Sequence, residues 1–197
     1  MCRNIEGMSN AELLGMMVGS KTAVRILKHA GGSLSALLNE SIAPYDPQPK
    51  AQTKLQVAKE LVRRSLLETL SQGDALSSPA RVREYLRLTL AGREHEIFMV
   101  LFLDAQNRVI ESEEMFRGSL TQTSVYPREV VKRSLFNNAG AVIFAHNHPS
   151  GLAEPSHADE TLTQALKQAL ALVDVRVLDH FIVAGSGLIS FAERGLI

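Results

Sequence analysis

The sequence predicts an α/β protein, in which a mixed β-sheet is flanked by helices and preceded by a small all-α region. Two observations support this prediction. The first 70 residues carry apolar side chains at helical spacing, whereas after residue 78 short apolar, β-prone runs alternate with helical patterns. The chain has 197 residues, 45% hydrophobic and 21% charged, which suits one domain or a small domain followed by a medium one.

Composition excludes several classes of protein. Lys+Arg and Asp+Glu both number 21, so the chain lacks the basic excess typical of proteins that bind nucleic acid by bulk charge. The single cysteine, Cys2, excludes an intrachain disulfide and a Cys-rich zinc module. No apolar run approaches the roughly 18 residues of a membrane span, and no secretory signal is visible. We therefore expect a cytoplasmic protein without a membrane partner; the sequence indicates no oligomeric state.

The N-terminal region is predicted to be helical. A first helix is expected over Ala11–Val18, with Asn10 before it, and a second short helix over 33–38. Three prolines within 44–49 predict a loop, because proline interrupts regular structure. An amphipathic helix is then expected over 55–70.

The segment 71–78, SQGDALSS, is short, polar and contains glycine, so we interpret it as a linker. It would join the helical region 1–70 to a second domain, 79–197. The elements expected in the second domain are a helix from Pro79 to Gly92, strands at 96–104, 108–112 and 121–125, a helix from Pro127 to Gly140, a strand at 141–145, a helix at 156–172, and strands at 175–178, 181–184 and 188–191.

A cluster of possible metal ligands follows the buried strand 141–145. In an extended segment, residues two apart point to the same side, so the imidazoles of His146 and His148 can face one metal. The proline- and glycine-containing segment that follows turns the chain, and the next helix brings Asp159 back toward the strand end. Two histidines and one carboxylate are a ligand set for catalytic Zn²⁺ with a fourth position for water. We predict one zinc ion per chain.

Glu96 is the candidate general base for such a site, because it begins the central apolar strand, where a carboxylate is otherwise out of place. Glu94 has the same strand parity and is the alternative. Without a metal site, Glu96 would be an ordinary solvent-exposed strand start.

Two further pairs of residues have structural interpretations beside functional ones. Ser156-x-x-Asp159 resembles a helix capping box, which is compatible with metal binding if the serine caps while the aspartate turns to the metal. Asp179 and His180 either orient a metal ligand or form a structural pair.

The pattern His146-x-His148-Pro-x(6)-Ser156-x-x-Asp159, with Glu96 upstream, resembles the JAMM (MPN+) metalloprotease signature. From about Pro79 to the C-terminus the sequence is also similar to the bacterial RadC family. The similar segments are EIFMVLFLD at 96–104, VYPREV at 125–130, HNHPSG at 146–151, EPS at 154–156 and LDHFIV at 178–183.

The resemblance implies a curved mixed sheet flanked by helices, and a role for each residue of the signature. His146, His148 and Asp159 would hold zinc. Glu96 would take a proton from the nucleophilic water and deliver it to the leaving group. Ser156 would donate a hydrogen bond to the oxyanion, and the reaction would be amide hydrolysis. The family name also implies an association with DNA repair.

The N-terminal region resembles the RadC helical region more loosely, through Ala11–Leu14 and Lys54–Arg64. RadC members usually carry a helix-hairpin-helix element here, with a Gly-Ile-Gly turn. This chain has PYDPQPKAQT, Pro44–Thr53, in its place, without glycine. Because glycines allow backbone amides to approach phosphate closely, this difference weakens the expectation that DNA is a partner.

We therefore expect a zinc-dependent hydrolase, peptidase- or isopeptidase-like, acting on an unknown peptide or protein. The alternative is a non-catalytic DNA repair or recombination accessory protein with a structural zinc. A deaminase is excluded because it needs Pro-Cys-x-x-Cys. A two-metal nuclease needs more clustered carboxylates than Asp159 and Glu96 provide, whereas single-metal phosphodiester cleavage stays open.

Overall fold

The computed structural model describes residues 5–39, 49–118, 124–185 and 187–197. The helices in these ranges are α1 Asn10–Val18, α2 Ser20–His29, α3 Leu34–Asn39, α4 Pro49–Gln72, α5 Pro79–Leu90, α6 Pro127–Phe136 and α7 His157–Ala171, with a 3₁₀ helix at Ala75–Ser77. The strands are β1 Ile97–Leu103, β2 Val109–Arg117, β3 Ala141–Asn147, β4 Arg176–Ala184 and β5 Gly187–Ser190.

Compactness divides the chain into two units, Met1–Arg64 and Ser65–Ile197. The division lies within α4, before the segment 71–78 that the sequence predicts as the linker. In that segment Ser71 and Gln72 belong to α4, and Ala75 is buried. No helix in the described ranges combines the length and the apolar character needed to cross a membrane.

The first unit is built on helices, as predicted. Ser9 caps α1, which begins at Asn10: the Ser9 side chain accepts from the Glu12 backbone N–H, and the Glu12 carboxylate accepts from the Ser9 backbone N–H. The first helix was predicted to end at Val18, as α1 does, but α2 was not predicted. Gly19 separates them with φ +89°, a conformation that favours glycine. The core side chains come from α1, α2, α3 and α4 and include Leu14, Ile26, Leu37 and Leu55.

Of the loop predicted over 44–49, residues 44–48 lie outside the described residues. Pro49 itself begins α4, so the helix starts six residues before the predicted start at Leu55. Proline is well tolerated in a first helical turn, where its missing N–H has no partner to lose.

The second unit contains a five-stranded mixed sheet in the order β2-β1-β3-β4-β5. β1 is antiparallel to β2 and β3, β3 is parallel to β4, and β4 is antiparallel to β5. The crossover between the parallel strands β3 and β4 contains α7, as parallel pairing requires. This arrangement confirms the predicted α/β fold.

Both faces of the sheet are covered, which explains why every residue of β1 and β3 is buried. On one face, side chains of α5 such as Tyr85 and Leu86 pack against Leu101 and Ile143. On the other face, Phe98 and Phe144 belong to a second cluster with residues of α6 and α7, including Val130, Leu166 and Leu170.

Several predicted bounds in the second unit were wrong. The strands predicted at 175–178 and 181–184 are one strand, β4, which continues through Asp179 and His180 because both are buried there. α6 ends at Phe136 and not at Gly140, since Asn138 adopts a left-handed conformation with φ +50°. Of the strand expected at 121–125, residues 121–123 lie outside the described ranges, and 124–125 are not in a strand.

Candidate metal centre

His146 lies within β3, two residues after Phe144 of the second core cluster. Its side chain is buried, and its ring lies over Phe98, with 6.4 Å between ring centroids and 16° between ring planes. The sequence placed His146 just after the strand. The structure shows that β3 continues to Asn147, so ladder bonds to β1 and β4 fix the His146 backbone on both sides.

His148 follows β3, and two hydrogen bonds orient it. Its backbone N–H donates to the Val183 carbonyl at 2.9 Å, which continues the pairing of β3 with β4. Its ring Nδ1 lies 2.8 Å from the Leu152 carbonyl oxygen. Because a carbonyl only accepts, Nδ1 carries a proton, and Nε2 is the ring nitrogen that can bind a metal.

Asp159 lies in the first turn of α7, where it completes a capping box with Ser156. The Asp159 carboxylate Oδ2 accepts from the Ser156 backbone N–H at 2.7 Å and from its hydroxyl at 2.6 Å. The Asp159 N–H donates in return to Ser156 Oγ at 3.2 Å. The cap therefore holds the carboxylate at the N-terminus of α7, as the capping-box interpretation of this sequence predicted.

The three side chains meet at one point. His146 Nε2 lies 2.9 Å from His148 Nε2, and these nitrogens lie 3.3 and 3.5 Å from Asp159 Oδ1 and Oδ2 respectively. Ligands of a tetrahedral ion with bonds of about 2.0 Å are about 3.3 Å apart, so these residues fit such an ion. In the described part of the chain, this is the group of His, Cys, Asp and Glu side chains that could hold a metal.

Charge at the site favours a cation. Burial acts to raise the pKa of the Asp159 carboxyl, but hydrogen bonds with His146 and His148 outweigh it and hold that pKa well below its usual range. The hydrogen bond with Asp159 raises the pKa of His148; burial opposes this effect, and the Glu96 charge adds to it. An ionised carboxylate thus faces two ring nitrogens at the same point.

Glu96 immediately precedes β1 and is half-buried. Its charge is one of the causes that raise the pKa of His148. Asn147 anchors this part of the chain: its Oδ1 accepts from Ile97 N–H at 2.8 Å, and its Nδ2 donates to the His95 carbonyl at 3.0 Å. Glu94, the alternative base, is exposed. The catalytic role of Glu96 stays a prediction.

Asp179 and His180, adjacent in β4, have different surroundings. The Asp179 carboxylate accepts from the backbone N–H groups of His180 and Ala192 and from the Ser190 hydroxyl, so it secures the C-terminal turn. Burial raises the pKa of the Asp179 carboxyl, although these hydrogen bonds oppose the effect. His180 is fully buried, and burial lowers its pKa well below the usual value. Its Nε2 lies 2.8 Å from Nδ1 of His146.

Thr163 is the site residue that the sequence interpretation missed. Its hydroxyl lies 2.6 Å from Nδ1 of His180 and donates to the Asp159 carbonyl, also at 2.6 Å. The available signal was a threonine four residues after Asp159, on the same face of the predicted helix.

Comparison with known proteins gives consistent matches. The family model described as RadC-like JAB domain matches residues 76–196. A UPF0758 protein of Nitrosomonas eutropha is 53% identical over 201 residues, covering 96% of this chain and 90% of that protein. One from Herminiimonas arsenicoxydans is 54% identical over 199 residues, covering 95% and 89%. One from Methylibium petroleiphilum is 50% identical over 208 residues, covering 100% and 94%.

Proposed function

The chain belongs to the RadC-like JAB domain family, and from this premise we propose that it is a zinc-dependent hydrolase that cleaves an amide bond. The bond would be of peptide or isopeptide type, in a peptide or protein substrate. One observation carries the proposal: Nε2 of His146, Nε2 of His148 and the carboxylate of Asp159 converge on one point.

The donor set favours zinc over Mg²⁺ and Ca²⁺. Two neutral imidazoles and one carboxylate are typical of catalytic zinc sites, whereas Mg²⁺ and Ca²⁺ prefer all-oxygen sites. When bound, zinc supplies Lewis acidity, which lowers the pKa of water to about 7 and polarises a carbonyl.

The remaining steps fall to side chains beside the ligands. Glu96 would accept a proton from the attacking water and return it to the leaving amine. The Ser156 hydroxyl would donate to the oxygen of the scissile carbonyl as negative charge develops there. Ser156 is exposed, so its hydroxyl can rotate away from Asp159 Oδ2 toward a substrate.

The first test is the zinc content of the purified protein by elemental mass spectrometry. We expect about one zinc per chain in the wild type and none in His148→Ala. His157→Ala is the matched control, because His157 is an exposed histidine at the start of α7, and it should keep the metal. Equal zinc in all three proteins would contradict the ligand assignment.

The second test is cleavage of a mixed peptide library, with new amino termini identified by mass spectrometry. The zinc-loaded wild type should produce new termini, and Glu96→Gln should keep zinc and produce none. Glu94→Gln, which alters the exposed neighbouring carboxylate, should cleave like the wild type. If Glu96→Gln stayed fully active, Glu96 would not be the base.

A DNA-associated role is the second candidate, and α2 provides the observation that favours it. Lys21, Arg25 and Lys28 lie at helical spacing on its exposed face, and α2 contains no acidic residue. Phosphate contacts would make affinity for duplex DNA fall steeply with salt. Replacing all three residues by Gln should then reduce the salt slope. Affinity independent of salt would exclude this role.

A further inference from the structure

A buried chain of hydrogen bonds connects the backbone of Asp159 to the ring of His146. The Thr163 hydroxyl lies 2.6 Å from the Asp159 carbonyl and 2.6 Å from His180 Nδ1, and His180 Nε2 lies 2.8 Å from His146 Nδ1. The three linking side chains are 0% exposed for Thr163 and His180 and 2% for His146.

Counting the protons shows which atom donates and which accepts in each of these hydrogen bonds. A carbonyl oxygen only accepts, so the single hydrogen of the Thr163 hydroxyl is given to Asp159. The hydroxyl then has only lone pairs for His180, whose Nδ1 must carry the proton. In a neutral imidazole the other nitrogen accepts, so His180 Nε2 accepts from Nδ1–H of His146. Nε2 of His146 is thereby left with its lone pair, which is directed to the point where His148 Nε2 and the Asp159 carboxylate also converge.

The surroundings of His180 favour this single arrangement. The rings of Phe98, Phe144 and Phe191 surround the imidazole, with centroids 5.6, 5.8 and 4.7 Å away. Phenyl rings offer no conventional hydrogen-bond acceptor, so the two ring nitrogens of His180 bond to Thr163 Oγ and His146 Nδ1. A proton on His180 Nε2 would point at His146 and leave Thr163 Oγ and His180 Nδ1 as two facing acceptors.

We propose that Thr163 and His180 are positioning residues that hold His146 as its Nδ1–H tautomer and so present its Nε2 lone pair to the metal. This inference rests on the proposed zinc site. The chain of hydrogen bonds begins at the backbone carbonyl of Asp159. One set of buried hydrogen bonds therefore orients two of the three ligands. Removing a group that orients a ligating histidine typically weakens metal affinity 10- to 100-fold.

The test compares two threonines in matched environments. Thr163→Val removes the hydroxyl bonded to the carbonyl four residues earlier. Thr89→Val does the same in α5, where the buried Thr89 hydroxyl donates to the Tyr85 carbonyl but contacts no metal ligand. Zinc affinity, measured at pH 8 by competition with a chromophoric chelator, should fall about 10- to 100-fold in Thr163→Val and stay unchanged in Thr89→Val. Thr163→Ser should restore wild-type affinity.

Tautomers in the wild-type protein give a second readout that needs neither a variant nor turnover. Long-range ¹⁵N–¹H NMR of the zinc-free protein at pH 8 should show Nδ1–H tautomers for both His146 and His180. An Nε2–H tautomer at His146, or unchanged zinc affinity in Thr163→Val, would overturn the inference. If zinc binds but no peptide is cleaved, the proposed hydrolase activity is contradicted. The zinc affinities of the threonine variants still decide whether Thr163 and His180 position His146. If the wild type binds no zinc, the proposed site fails and the tautomers decide.

Discussion

His148 and Asp159 should give the zinc-free protein a characteristic pH dependence of stability. The pKa of Asp159 is lowered in the fold and that of His148 is raised, from ordinary values of 3.8 and 6.5. A lowered acid pKa stabilises the fold above pH 3.8, and this contribution is lost as pH falls below that value. A raised histidine pKa stabilises the fold below pH 6.5, and this contribution is lost as pH rises through the shifted pKa.

We therefore expect the zinc-free wild type to gain most stability from this pair between about pH 4 and 6.5, measured by urea unfolding at a series of pH values. Asp159→Asn should reduce the decline above pH 6.5, because the largest of the causes that raise the pKa of His148 is gone. His157→Ala should leave the profile unchanged. The same decline in Asp159→Asn as in the wild type would contradict the assignment.

Asn147 offers a second prediction at the scale of one residue. It is buried, and its side chain forms hydrogen bonds with the backbone on either side of Glu96, at His95 and Ile97. Asn147→Ala leaves the Ile97 N–H without its acceptor, which should cost about 1–3 kcal/mol of unfolding free energy. The zinc content should stay at the wild-type level, since no ligand is lost.

Asn137→Ala is the matched control for this change. Within the described residues, Asn137 Nδ2 is buried without a hydrogen-bond partner, so its removal should cost less. Urea unfolding of both variants checks the difference, and an equal loss would mean that the Asn147 bonds contribute little.

At the scale of the element, the capping box of α7 is both a helix terminus and part of the candidate site. The same box, with Glu in place of Asp, caps α1 through Ser9 and Glu12. Ser156→Ala and Ser9→Ala should each remove about 1 kcal/mol of local helix stability. Only Ser156→Ala should also lower zinc affinity, because it removes the hydroxyl bond to Asp159 Oδ2, one of the two bonds that orient this carboxylate.

Chelator competition and thermal unfolding of the two alanine variants check this prediction. Ser156→Thr, which keeps a capping hydroxyl, should bind zinc like the wild type. Equal zinc affinity in Ser156→Ala and the wild type would show that the cap and the ligand act independently.

The elements show which features could be predicted from the sequence. β1 is uniformly apolar, residues 141–145 of β3 are apolar, and Pro79 and Ser156 mark helix starts, so these elements were predicted within a few residues. The first helix was predicted to end at Val18, as α1 does, whereas α2, which Gly19 separates from α1 with φ +89°, was not predicted. β4 was split in the prediction because Asp179 and His180 are polar, although both are buried.

The candidate site likewise contains residues whose roles could be predicted from the sequence and residues whose roles could not. His146, His148 and Asp159 are close in sequence, so a local motif with the geometry of a strand end and a helix start predicts their meeting. The contact between His146 and His180 spans 34 residues and depends on the parallel pairing of β3 with β4. No local spacing encodes that pairing, so the sequence left the role of His180 open and missed that of Thr163.

At the scale of the whole molecule, the three proposed ligands lie in one compact unit, Ser65–Ile197. Zinc that binds only the folded site stabilises that unit by mass action, by about 2.7 kcal/mol at a free concentration 100 times the Kd. Hydrogen exchange followed by mass spectrometry should therefore show slower exchange in β3, β4 and the start of α7 on zinc addition. We expect α1 and α2 to exchange as before, because no proposed ligand lies in Met1–Arg64. His148→Ala should abolish the protection, whereas His157→Ala should retain it. Protection of α1 and α2 comparable with that of β3 would show that zinc acts on the first unit as well, and would contradict a site confined to the second.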